Sequence, residues 1–285
     1  MAKPTVTIIG LGNVGSAWLN VLPKVGYKVI SAYSRKKADS SLVKNQPEIK
    51  FSKGLPAKKE ELGLLVILAV SDDAIKAVSE GLADNFSGLE DKYFVHCSGV
   101  LTSEALSALK RKGAKTASFH PIKAITKANS TFKDTWFDME GNEELLAELE
   151  ELCVHLEAHA FPVKPEAKAY LHASAVVASN YLVVLADMLS KISAKGGVSE
   201  ESAIKAFAPL MRNTLSNIEE FGVSEALTGP IARGDVETVR SHLKGLENEN
   251  EILSLYKEMG RAAVEIAGRK SGNYEALAEI KKLLS

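Results

Sequence analysis

The sequence predicts an α/β protein: an N-terminal doubly wound parallel sheet followed by an all-helical C-terminal domain. Three observations predict it. The chain opens on an apolar strand, a glycine turn and a helix in immediate succession, TVTIIGLGNVG at Thr5–Gly15. From there to residue 163 short apolar runs alternate with helical segments, the pattern of strands linked by crossover helices. Beyond Pro165 every long segment has helical periodicity. The expected division is therefore residues 1–163 for the sheet domain and 164–285 for a helical domain.

The first strand is Val6–Ile9, and Ser16–Val25 is an amphipathic helix. Between them lies Gly10-x-Gly12-x-x-Gly15, the dinucleotide-binding fingerprint in its required context. Gly10 permits the tight turn, Gly12 lets a pyrophosphate approach the backbone, and Gly15 lets helix and strand pack closely. Gly12, Asn13, Val14 and Gly15 bring helix-start N–H groups and the helix dipole to a diphosphate. Lys28–Tyr33 is the second strand. An NAD site places a carboxylate at its end, on the ribose 2′-hydroxyl. Here the run is Ser34-Arg35-Lys36-Lys37, and residues 31–60 hold eight Lys/Arg against three Asp/Glu. Arg35 can pair with a 2′-phosphate through two donors and Ser34 can add a hydroxyl, so NADP is expected over NAD.

Ile49–Phe51 is a short third strand and Gly54-Leu55-Pro56 a turn. Leu64–Val70 is continuously apolar, as a strand buried on both faces requires. Ser71 then caps a helix at Ala74–Leu82. Tyr93–Cys97 is the next strand, closed by Ser98-Gly99. Ser103 caps a further helix, and Ala114–Phe119 is a strand closed by His120-Pro121. Ligands of such a sheet lie at the carboxyl ends of its strands. That rule gathers Gly10–Gly15, Ser34, Arg35, Val70, Ser71, Ser98, Gly99 and His120 on one edge. Ile122–Asp138 has no clear period and reads as loop. Asn142–Glu157 is helical and Ala160–Val163 a last strand. Helices follow at Glu166–Ala194, from a Ser199 cap to about Phe221, from an Asp235 cap to about Leu246, and at Glu249–Ala267 and Tyr274–Leu284.

Composition narrows the function classes. Of 285 residues 46% are hydrophobic and 25% charged, with a net charge of −1, so no whole-chain field favours nucleic acid or an anionic membrane. The two cysteines, Cys97 and Cys153, are no disulfide framework and fit a reducing cytoplasm. MAKPTV runs straight into the first strand, which leaves no room for a signal peptide. Ala169–Ala186 is nearly long enough to span a bilayer, but Ser174, Ser179 and Asn180 interrupt it, and Lys168 and Asp187 bracket it closely. A helix buried on most sides by protein is the expectation there.

Four groups are candidates for chemistry. Ser98, after a central strand, is placed to hydrogen-bond a carboxamide or a substrate. His120 is placed to give a proton to a carbonyl or imine as hydride arrives. On the long helix His172, Val176 and Ser179 share a face, with Asn180 beside it. So polar a set in so apolar a helix lines a cavity or forms an internal network. In ALTGPIARGD, 226–235, Thr228 and Arg233 flank a glycine–proline bend. Arg233 is suited to a substrate carboxylate or to an internal salt bridge. His155 and His159 lie four apart, but no third ligand accompanies them and no metal is expected.

These pieces resemble the superfamily of pyrroline-5-carboxylate reductases, ketopantoate reductases and β-hydroxyacid dehydrogenases. Within it they resemble a bacterial family of Rossmann-like proteins with a C-terminal domain of unknown function. The matching segments are GLGNVG (10–15), AYSR (32–35), HCSG (96–99), FHPI (119–122), HASAVVASN (172–180) and ALTGPIARGD (226–235). The resemblance implies an NADP-type cofactor, a site between the two domains, and a homodimer built largely from the helical halves. One departure stands out. The β-hydroxyacid dehydrogenases carry a catalytic Lys four residues before an Asn on the first long helix, and counting back from Asn180 gives Val176.

The sequence thus leads to a cytoplasmic NADP-dependent oxidoreductase acting on a small carbonyl or imine, with no nucleic-acid or membrane partner. His120, His172, Ser98 and Asn180 are its catalytic candidates, and Thr228 and Arg233 its substrate anchors. A non-catalytic NADP-binding sensor or scaffold is the alternative, motivated by the missing Lys.

Overall fold

The computed structural model describes residues 3–35, 46–126, 131–270 and 273–285. The chain forms two compact units, residues 1–180 and 181–285. The first twelve or so residues of the long helix therefore belong with the sheet unit rather than with the helical one.

The first unit is built on eight strands: β1 Val6–Ile9, β2 Val29–Ser34, β3 Lys50–Lys53, β4 Leu65–Leu68, β5 Tyr93–His96, β6 Lys115–Pro121, β7 Trp136–Gly141 and β8 His159–Pro162. Their order is β3-β2-β1-β4-β5-β6-β7-β8. The first six pair in parallel, β7 runs antiparallel to β6, and β8 is parallel to β7. The stretch expected to be loop as far as Asp138 thus ends in a strand. Residues 136–141, WFDMEG, alternate apolar with acidic, and the acidic ones face away from the aromatic core.

The helices of this unit are α1 Asn13–Val21, α2 Asp72–Asn85, the four-residue α3 Ser107–Lys110 and α4 Glu143–His155. Ser71 occupies the N-cap of α2, but its side chain makes no capping bond. Ser103 does not cap a helix. Thr102 holds that position, while the Ser103 N–H and hydroxyl both donate to the Glu140 carboxylate. The core lies on both faces of the sheet. On one, Trp18 packs 4.2 Å from Phe132 and Phe119 stacks 4.3 Å from Phe137, ring centre to ring centre. On the other, Leu68, Ile75, Leu82 and Phe94 close the face under α2.

A single turn at Pro165–Ala167 leads into α5, Lys168–Lys195. Then follow α6 Glu200–Ala226, broken at Gly222 (φ 80°), the short α7 Pro230–Arg233, α8 Val236–Gly245, α9 Asn250–Ala267 and α10 Tyr274–Leu283. Ser199 and Asp235 cap α6 and α8 through their side chains, as expected. Val239, Val264, Leu277, Ile280 and Leu284 form the core of the second unit.

The expectation that the long apolar helix is buried by protein is not met within the chain. By length and composition residues 165–195 could cross a membrane, and only 6% of their apolar window is buried. Val183 is 69% exposed on α5, and Leu210 and Phe221 stand exposed on α6.

Candidate active site

Packing requires glycine at two of the three fingerprint positions, as the sequence predicts for Gly10 and Gly15. Gly10 has φ +100°, and a Cβ on it would run into the Ala69 carbonyl and the Val70 side chain at the end of β4. A Cβ on Gly15 would strike the Gly10 carbonyl. Gly12 differs: a Cβ there would meet nothing within 4 Å. Gly12 is also the N-cap of α1, and no side chain caps that helix. Gly12 and Asn13 are exposed, Val14 is partly buried, and the first turn of α1 holds no acid. Packing explains glycine at 10 and 15 but not at 12. The open, uncapped helix start is a cradle that fits a dinucleotide pyrophosphate. Ser34 ends β2 with its carbonyl accepting from Gly54 N–H at 3.0 Å, and Arg35 beside it is exposed. Lys36 and Lys37 lie outside the described residues. Ser71 is exposed after β4.

Two strands along, the chain builds a polar cluster at the same sheet edge. His120 and Asp138 are directly opposed in the antiparallel β6–β7 ladder. Directly opposed residues project to one face, and here it is the face away from Phe119, Phe137 and Met139. The His120 Nδ1 lies 2.7 Å from Asp138 Oδ2, and the Lys168 ammonium at the start of α5 donates to Asp138 Oδ1. Lys168 and Asp138 are each 1% exposed, so this is an ion pair withdrawn from water. Burial by itself would raise the Asp138 carboxyl. The hydrogen bonds from His120 and Lys168, with the charge of Lys168, outweigh it and hold the carboxyl below the ordinary carboxylate range.

One turn beyond Lys168, His172 brings its ring to 6.1 Å from that of His120, edge to face. Its Nδ1 is buried and has no hydrogen-bond partner among the described residues. Both rings lean on Gly99: a Cβ there would lie 2.6 Å from His172 Nδ1 and 2.8 Å from His120 Nε2. Glycine at 99 makes room for two imidazole nitrogens that converge on one point.

The other candidates sit differently. The Ser98 hydroxyl is occupied by its own turn, accepting from the N–H groups of Val100 at 3.3 Å and Leu101 at 3.1 Å. Asn180 is exposed, about 12 Å further along α5 than His172 by the helical rise, and does not join the cluster. Thr228 is exposed in the second unit, as is Arg233, whose guanidinium lies 4.0 Å from the Asp235 carboxylate. His155 donates to or accepts from the Tyr27 hydroxyl at 3.1 Å, and His159 stacks on Trp136. Below the cluster, His96 is fully buried between the Thr102 carbonyl and Ser98 N–H. Burial drives its imidazole down to about 4, and the nearby charge of Lys168 adds to the effect.

Reading by residue type missed Asp138 and Lys168. Asp138 lies in a stretch that reads as loop, and Lys168 reads as the charged edge of an apolar helix, too far back from Asn180 to match the catalytic Lys of the β-hydroxyacid dehydrogenases. The available signal was the alternation of WFDMEG, which places an acid on the side of a strand facing away from the core.

Residues 1–121 match the model of a Rossmann-like domain, and residues 135–263 match that of a domain of unknown function (DUF2520). No curated protein matches the chain. Among solved structures, a Bacteroides fragilis protein assigned as an NADP oxidoreductase is 20% identical. Its TM-score is 0.73, and the match covers 92% of this chain and 98% of that one. A reductive aminase of Aspergillus terreus, in complex with NADPH and ethyl-5-oxohexanoate, is 19% identical with TM-score 0.62 over 99% and 92%. The pyrroline carboxylate reductase of Plasmodium falciparum, with NADP bound, is 13% identical with TM-score 0.62 over the whole of both chains. At these identities the likeness is one of fold.

Proposed function

We propose that this chain, a Rossmann-like domain followed by a domain of unknown function, is an NADP-dependent oxidoreductase acting on a small carbonyl or imine. The observation that carries the reading is the contrast at the fingerprint. Gly10 and Gly15 are required by packing, while Gly12 faces open space at an uncapped helix start. Gly10, Gly12, Asn13, Val14 and Gly15 would hold the pyrophosphate, and Val70 and Ser71 would border it. Ser34 and Arg35 would hold a 2′-phosphate. The nicotinamide supplies hydride, and the protein has to position the substrate and handle one proton. His120, anchored by Asp138, is the proton carrier in this reading. His172 faces the same point beside Gly99 and is a second polar contact for substrate. The NADP-bound state of the pyrroline carboxylate reductase and of the reductive aminase supports the choice of cofactor.

The exposed apolar faces of α5 and α6 support a homodimer. Charged residues interleave on α6, among them Lys205, Arg212 and Glu219, which suits a protein partner better than lipid. A second copy covering these faces is consistent with a cytoplasmic protein.

Titration of the purified protein with NADPH and NADH, followed by nicotinamide fluorescence, tests the cofactor. Micromolar NADPH binding with much weaker NADH binding is expected. Binding of neither would remove the oxidoreductase reading.

A further inference from the structure

The buried Lys168 is the group that the proposed function leaves unused. An ion pair this deep is costly and rarely adds stability over apolar residues of the same size. Its geometry states a different use. Lys168 is a donor only, and it occupies Oδ1 of Asp138. Oδ2 is left to face His120 Nδ1 at 2.7 Å. A carboxylate has no proton of its own to offer, so Nδ1 must be the N–H of that imidazole. The neutral ring then carries its lone pair on Nε2, the nitrogen turned toward Gly99.

Resting on the reading of the chain as an NADP oxidoreductase, we propose that Lys168 and Asp138 are positioning residues. They fix His120 as a proton carrier at Nε2, and the group it serves is a carbonyl oxygen rather than an iminium nitrogen. In reduction the His120 Nε2–H bond breaks and an O–H bond forms while hydride reaches the carbonyl carbon. A ketone becomes a secondary alcohol, NADPH is oxidised to NADP, and the imidazole takes a proton back from solvent. An iminium ion already carries its proton and needs none as hydride arrives. It is also a cation, and the cluster does not welcome one. With Lys168 and Asp138 paired, protonated His120 leaves a net charge of +1. His172 faces it from 6.1 Å and the buried His96 lies below, and neither supplies a negative charge. A neutral carbonyl that acquires negative character on oxygen is matched to that charge.

Nitrogen-15 NMR of histidine-labelled protein tests the positioning without any substrate. In the wild type, neutral His120 is expected as the Nδ1–H tautomer. Asp138→Asn should switch it to Nε2–H. Lys168 holds the amide oxygen, so the amide N–H₂ faces Nδ1 and requires an acceptor there. In the double variant Lys168→Met with Asp138→Asn the amide is free to turn, and the Nδ1–H form should return. A wild-type Nε2–H tautomer, an unchanged tautomer in Asp138→Asn, or a double variant that keeps the Nε2–H form overturns the proposal. Should the double variant not fold, the wild-type and Asp138→Asn spectra decide. Turnover with NADPH, comparing cyclohexanone with 2-methyl-1-pyrroline, tests the substrate class. The ketone should be the faster and should lose about 10²–10⁴-fold in His120→Gln. A faster imine, indifferent to that substitution, overturns the carbonyl assignment and leaves the oxidoreductase reading standing. Failure to bind NADPH removes that reading but not the tautomer result.

Discussion

Lys168 and His120 hold opposite oxygens of one carboxylate, that of Asp138, from two different elements of the fold. One comes from the start of a helix and the other from the neighbouring strand, so the carboxylate joins three segments far apart in sequence. Consequences for stability and for chemistry both follow from that shared acceptor.

Removing one member strands the other. Asp138→Asn leaves the Lys168 ammonium buried without its counter-charge, and Lys168→Met leaves the carboxylate with only His120. Each is expected to cost about 3–5 kcal/mol of folding stability, with the double replacement costing less than the sum. Urea unfolding of the four proteins measures it. Additive costs would mean that the two groups do not act as a pair.

Acid should weaken the fold by two routes. Asp138 is held below its unfolded value, so its contribution is present at neutral pH and is lost as pH falls through the folded value. His96 is depressed from 6.5 to about 4, so the unfolded chain takes up that proton first. Stability then falls between about pH 6.5 and pH 4, by up to about 3 kcal/mol from His96 alone. Denaturation at a series of pH values should show the loss, and His96→Gln should flatten it. A flat wild-type profile across that window would contradict the His96 route; the Asp138 loss falls below the ordinary carboxyl value of 3.8.

The fingerprint glycines should separate binding from folding. Gly12→Ala places a methyl group in open space and should change the melting temperature little, while weakening NADPH binding at least tenfold. Gly15→Ala collides with the Gly10 carbonyl and should lower the melting temperature sharply. Thermal unfolding beside fluorescence titration gives both readings. A Gly12→Ala protein that binds NADPH normally would mean that the cradle does not hold the pyrophosphate.

In the proposed site Arg35, exposed beside Ser34, gives the 2′-phosphate its positive charge. Arg35→Asp should weaken NADPH binding by tenfold or more and leave NADH binding unchanged or improved, because a carboxylate repels the 2′-phosphate and suits the 2′-hydroxyl. Equal effects on both nucleotides would remove Arg35 from the site.

The unburied helix faces predict assembly. Wild-type protein should sediment as a dimer, and Val183→Glu together with Leu210→Glu should shift it to monomer. A wild-type monomer would leave the apolar faces of α5 and α6 without the second copy proposed for them.

Much of this architecture was legible because its signals are local. A glycine spacing, an apolar run and a capping Asp or Ser each act within a few residues, so Gly10–Gly15, Leu64–Val70, Ser199 and Asp235 read correctly. His120 and His172 were legible as rare polar residues at a strand end and on an apolar helix. What stayed hidden depends on pairing across the chain. Nothing in the neighbourhood of Asp138 says that a strand will run antiparallel to β6. Nothing near Lys168 says that its charge has a buried partner thirty residues upstream. The exposure of α5 was misjudged for a related reason: periodicity shows that a face is apolar, not which chain covers it.

The opposed pair His120 and Asp138 has one further consequence, for how such a site can change over generations. Strand side chains alternate from face to face, so a slip of one residue between β6 and β7 would set Phe137 or Met139 across from His120 and turn Asp138 toward the aromatic core. The proposed chemistry is stored as an alignment of two strands rather than as a motif. A single inserted or deleted residue inside β7 would erase it while every amino acid that performs it remained in the gene. Length changes in the connection before Trp136 carry no such penalty so long as the two strands find the same alignment.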